Sequence, residues 1–107
     1  MGSLLIDNTS DSVNLSTGSL ILASGGASIN GNVNIGGVIT LWDEQPSTDA
    51  SYGSLISLGG IGIRHTTDAI SYTSGGALTI AGGASVEKTL YAKRLFSNWS
   101  TLGDLFA

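Results

Sequence analysis

Three acids fall close together, Asp43, Glu44 and Asp49 within residues 42–51, and paired carboxylates are what general acid and base need to cleave a glycosidic bond. The same stretch holds the one proline, Pro46, among Ser and Thr. That is the composition of a solvated loop or hairpin insert, so the loop reading is preferred to catalysis. His65 with Asp68 would supply two members of a nucleophilic triad, but no nucleophile elbow accompanies them. A surface or packing histidine is the simpler reading. Gly59-Gly60-Ile61-Gly62 lacks the Asp that follows the glycines of a calcium nonapeptide and the Gly-Lys-Ser/Thr ending of a phosphate loop. It reads as a structural corner. With Cys 0 and His 1 the chain has no thiolate metal site and little to offer zinc. The expectation is a protein that is not an enzyme and has no cofactor or metal.

Aromatic side chains flank the acidic stretch. Trp42 and Tyr52, with Asp43 and Glu44 between them, form a candidate recognition surface for a host-surface glycan or protein, since aromatic platforms bind sugars and anchor interfaces. The competing reading is that Trp42 packs under its own loop. Near the end of the chain Phe96, Trp99, Leu102, Leu105 and Phe106 stand close to helical spacing, with Ser97 or Asn98 available as an N-cap. This predicts a short helical turn over 97–107 that caps the chain and packs on neighbouring chains.

These residues must be positioned by a chain of 107 residues, at most one ordinary domain. Gly, Ser and Thr supply 42 of the 107 and charged residues only 11%, while 41% are hydrophobic. Enough apolar matter is present to bury a core, and the strong helix formers are scarce, so the composition predicts an all-β protein. A net charge of -4 argues against nucleic acid. No apolar run approaches the ~20 residues that span a bilayer, which argues against membrane insertion. The charge is uneven: Asp7, Asp11, Asp43, Glu44 and Asp49 precede the first base, and Arg64, Lys88, Lys93 and Arg94 all follow. Met1-Gly2-Ser3 reads as a start codon followed by an expression scar, and the whole as a soluble fragment of something longer.

Internal repetition is the strongest organising signal. Residues 9–39 align without a gap on residues 66–96 at an offset of 57, with Thr9/Thr66, Asp11/Asp68, Gly18/Gly75, Gly25/Gly82, Gly26/Gly83, Ala27/Ala84 and Ser28/Ser85 identical. A partial third copy lies between, residues 51–56 echoing 16–21 and 59–63 echoing 25–29. The boundaries follow: residues 4–41 as a first β repeat, 42–52 as the acidic loop, 53–96 as further β repeats. Within the repeats the period is two. Ile29, Val33, Ile35, Ile39 and Leu41 share one face and Asn30, Asn32, Asn34 and Thr40 the other, as Val86, Leu90, Ala92 and Phe96 oppose Glu87, Thr89, Tyr91 and Lys93. Residues 20–22 and 55–56 are apolar on both faces and predict short strands covered on two sides. Gly-Gly pairs at 25–26, 36–37, 59–60, 75–76 and 82–83 predict corners.

Single alternating stripes on Gly-rich strands do not close a core by themselves, because ordering each residue costs roughly 1–2 kcal/mol of backbone entropy. Association of identical chains about a threefold axis would turn each stripe into a shared interior and cover the strand edges. At this point the residues also resemble a known family. TDAISYTSGGALTIAGGASVEKTLY at 67–91 and LILASGGASINGNVNIGG at 20–37 are similar to recurrent phrases in fibre and structural proteins of tailed phages, giant viruses and their virophages. The likeness covers about residues 8–41 and 53–95, and departs at Ala92-Lys93-Arg94, where the pattern ordinarily continues with small residues and a Gly-Gly corner. It implies a homotrimeric β-prism or triple-stranded β-helix-like fibre or spike on the virion surface, contacting a host or other virion proteins. Two other readings stand beside it: a single-chain β-solenoid scaffold, and a carbohydrate-binding tip built on Trp42, Asp43, Glu44 and Tyr52.

Overall fold

Short polar side chains decide where this chain turns back on itself. In the computed structural model, which describes residues 2–97, three turns are closed by Asn, Asp, Ser or Thr oxygens that capture nearby backbone groups. In the first, residues 8–19, Asn14 Oδ1 accepts the N–H of Ser16 at 2.8 Å and Thr17 Oγ1 accepts that of Val13 at 2.9 Å. Ser19 Oγ then donates to the Asn8 carbonyl at 2.8 Å, tying together residues eleven apart. In the second, residues 43–54, Asp49 Oδ1 accepts the N–H of Ser51 at 2.7 Å and Ser54 Oγ donates to the Asp43 carbonyl. Ser12 Oγ to the Asn14 carbonyl and Ser47 Oγ to the Asp49 carbonyl, both 3.3 Å, complete the match. Every bond of the second turn named here sits 35 residues after its counterpart in the first.

The third turn, residues 65–76, lies 57 residues after the first. Here Ser71 Oγ takes the place of the Asx oxygen, accepting the Thr73 N–H at 3.2 Å, and the Gly76 N–H reaches the Asp68 carbonyl at 3.2 Å. Two short strands form across it, β1 (Ala69–Ser71) and β2 (Ser74–Gly75), antiparallel with Ala69 opposite Gly75 and Ser71 opposite Ser74. The register is irregular between Ala69 and Ser71. These are the strands among the described residues, which include no helix.

Each turn ends on the same glycine. Gly18, Gly53 and Gly75 have φ of 125°, 142° and 78°, values that an L side chain rarely adopts. A Cβ on Gly75 would also fall 2.7 Å from the Ile70 nitrogen, and one on Gly18 3.1 Å from Ser12 Cβ. The turns are also where the chain is least exposed. Residues 17–19, 53–54 and 75–76 are half-buried, and every other described residue is exposed.

Between the turns the backbone runs extended and bends at regular intervals. Bends at 24–25, 30–31 and 36–37 recur every six residues, and so do those at 81–82, 87–88 and 93. Six is a multiple of the side-chain period of a strand, so each interval presents its apolar residues to the same side: Ala27 and Ile29, then Val33 and Ile35, then Ile39 and Leu41. No backbone-to-backbone hydrogen bond joins residues 20–42 to another described residue. The residues fall into two compact units, Met1–Ile56 with the first two turns and Ser57–Ala107 with the third.

The expected core is therefore not formed within one chain. Among the described residues no hydrophobic side chain is buried; Ile35 is 55% exposed and Leu90 64%. The short segments at 20–22 and 55–56, expected to be covered on two sides, are exposed as well. The accessible surface totals 10988 Å², about twice the ~5,500 Å² that a compact monomer of 10.8 kDa keeps. The acidic stretch, read from sequence as an insert, is a further copy of the turn at 8–19. The helical turn expected over 97–107 lies, from residue 98 on, outside the described residues.

Candidate functional site

A groove runs in each unit between a turn and the extended segment that follows it. In the first unit it is lined by Val13 and Leu15 from the turn, by Ile35 and Ile39 from the extended segment, and by Trp42. In the second unit Ile70, Tyr72, Arg94 and Phe96 line it. Val13 and Ile70, Leu15 and Tyr72, and Ile39 and Phe96 are each 57 residues apart. The two grooves are thus one feature built twice, and the sequence repeat is matched by a repeat of shape.

Their chemistry differs at the rim. Arg94 occupies the position of Gly37, and its guanidinium sits 5.0 Å from the centre of the Phe96 ring, a cation–π contact that holds a positive charge over the apolar floor. The first unit carries no base at all. Instead Trp42, 57% exposed, closes one end of its groove, and the acidic turn begins at the next residue.

Of the four residues proposed as a recognition surface, Trp42 alone lines the groove. Asp43 gives its carbonyl to Ser54 Oγ, and the Tyr52 N–H donates to the Asp49 carbonyl at 3.2 Å, so the backbone of both belongs to the turn. Glu44 and the Tyr52 ring are exposed. His65 and Asp68 are likewise engaged locally: His65 Nε2 lies 2.7 Å from Thr67 Oγ1, and Asp68 Oδ1 accepts the Ala69 N–H at 2.8 Å. Among the described residues no group of three His, Asp or Glu side chains is placed to hold a metal ion. Nor is any helix among them long and apolar enough to cross a membrane.

The sequence reading did not find the turn at 43–54 or the grooves. The turn had a signal: S-x-N-x-S-x-G-S-L-I at 12–21 returns as S-x-D-x-S-x-G-S-L-I at 47–56, with Asn and Asp interchangeable as acceptors. The grooves had none, because they depend on how an extended segment returns past its turn. No protein-family model, curated protein or solved structure matches the chain.

Proposed function

We propose that this chain is a non-enzymatic structural module of a homotrimeric fibre or spike, all-β once assembled, carried on the surface of a virus particle and attaching it to a host or to another virion component. The observation that carries the trimer is the state of residues 20–42. They combine an apolar stripe at Ala27, Ile29, Val33, Ile35, Ile39 and Leu41 with a backbone that makes no backbone hydrogen bond to another described residue. Unpaired strand edges and uncovered apolar faces are together a template for a like chain. Roughly 5,500 Å² per chain separates the accessible surface from that of a compact protein of this mass, an area on the scale of an obligate oligomer interface. A threefold axis lets one stripe per chain meet its two equivalents at a common centre. The virion surface as its place is supported by the resemblance of residues 8–41 and 53–95 to viral fibre repeats.

The six-residue spacing of the bends favours a second reading, a single-chain β-solenoid scaffold, since short regular intervals are what stacked coils require. Stacked coils would also pair each interval with the one above it, and among the described residues no such ladder links 20–42 to the rest. Light scattering and resistance to SDS separate the two. A mass of three chains at micromolar concentration, surviving SDS without heating, is the expected result; a monomer with a high β content by circular dichroism would establish the solenoid and overturn the trimer.

A further inference from the structure

The 57-residue repeat gives the chain two equivalent grooves, and the charges make them unequal. The first unit holds five acids and no base, a net charge of -5, and the second holds four bases and three acids, a net charge of +1. Two copies lying in step set acid against acid over the whole first unit. Two copies displaced lengthwise by one repeat keep the same pattern of turns, bends and stripes in contact, and bring the acids of one opposite the bases of the other. We infer that a second copy of this chain docks one repeat out of step, its acidic turn at 43–54 meeting the Arg94-rimmed groove of the second unit, so that trimers join head to tail. The inference rests on the homotrimer reading, since it is the trimers that are joined.

Three observations point to this occupant. Arg94 lines the groove of the second unit, where the repeat has Gly37 in the first, and Lys93 beside it replaces Gly36. A corner that bends the first unit has thus become a pair of exposed cations. Asp43 and Glu44 follow directly on Trp42, the residue that closes the equivalent groove, and both acids are exposed. The two surfaces are also different patches of the same molecule, so the contact is heterologous: nothing closes it, and it propagates along the axis. Because the charges are exposed, the contact is screened once the Debye length drops well below ~8 Å.

The test is the mass of the assembled protein as a function of salt. At about 20 mM salt, where the Debye length exceeds ~20 Å, the mass of the wild-type protein should rise above that of one trimer and grow with protein concentration. At about 1 M, where it is ~3 Å, the mass should return to a single trimer. K93E/R94E and D43K/E44K should each weaken the low-salt association at least tenfold, and the combined variant carrying all four changes should restore it. The four sites are exposed, and a trimer at high salt shows that each variant still assembles. A single trimer at every salt, or low-salt growth unchanged by K93E/R94E, would overturn the head-to-tail contact and leave the homotrimer standing. A monomer at every salt would remove both.

Discussion

The three turns and the segments that join them are made from the same Ser-, Thr- and Gly-rich sequence, yet they handle their backbone in opposite ways. In the turn at 8–19 a carboxamide, a threonine hydroxyl and a serine hydroxyl reach backbone groups between two and eleven residues away. That turn needs no partner, and its residues 17–19 are half-buried although the rest of it is exposed. The segment at 20–42 has no comparable bond, and its aliphatic side chains point nowhere within its own unit that covers them. The difference follows from reach. A short polar side chain can satisfy only its near neighbours, so it fixes a turn; a stripe of Ile and Val is stabilised only by another apolar surface, so it waits for one. The turns are then the parts specified by one chain and the stripes the parts specified by several.

The largest effect that would break this contrast is a charge on the stripe. Ile35→Asp places a carboxylate where three chains meet and should cost at least about 3 kcal/mol per chain, because a buried ion without a counter-charge retains little of its hydration. At micromolar concentration the mass should drop from trimer to monomer. Asn34→Asp adds the same charge one residue away, on the opposite face, and should leave the trimer intact. Equal loss in both variants would mean that the stripe has no preferred face and that the contrast between turn and segment is misdrawn.

A smaller effect tests the turns from the other side. Gly75→Val puts a β-branched residue at φ 78° with its Cβ 2.7 Å from the Ile70 nitrogen. The left-handed backbone alone costs about 1–2 kcal/mol, and the contact adds to it. The amide of Gly76, bonded to the Asp68 carbonyl at 3.2 Å, should lose its protection from hydrogen exchange, while the amides of the 8–19 turn keep theirs. Gly18→Ala should weaken the first turn less, since its Cβ meets only Ser12 Cβ at 3.1 Å, a side-chain atom that can move.

How much of this was legible in the sequence follows from the same contrast. The period-two stripes were legible because alternation needs only residue types, and the offset of 57 because identity survives at Thr9/Thr66, Gly18/Gly75 and Gly25/Gly82. The second turn was hidden by its own composition. Pro46 and Tyr52 stand where the first turn has Asp11 and Thr17, and Asp49 where it has Asn14, so a search by identity sees an acidic insert. A search by chemistry sees an acceptor oxygen two residues before a serine amide, with a glycine four residues after the acceptor. Trp42 and Trp99 are also 57 residues apart, a correspondence overlooked when the terminal aromatics were grouped by helical spacing. The six-residue bend period stands in Gly25, Gly31 and Gly37, yet it becomes a structural fact only where the backbone turns.

The smallest predicted effect decides whether the acidic turn is a structural copy or a charged device. Asn14→Ala and Asp49→Ala each remove an acceptor that holds an exposed amide, of Ser16 at 2.8 Å and of Ser51 at 2.7 Å, and a bond of this kind contributes about 0.5–1.5 kcal/mol. Exchange at those two amides should quicken several-fold and by similar factors, because the two turns share one geometry. Asp49→Asn keeps the acceptor and discards the charge, so exchange at Ser51 should stay within twofold of the wild type. If Asp49→Asn instead opens the turn as far as Asp49→Ala does, the carboxylate is indispensable where a carboxamide suffices at position 14. The likeness between the turns would then extend only to the path of the backbone, and residues 43–54 would have to be explained by their charge.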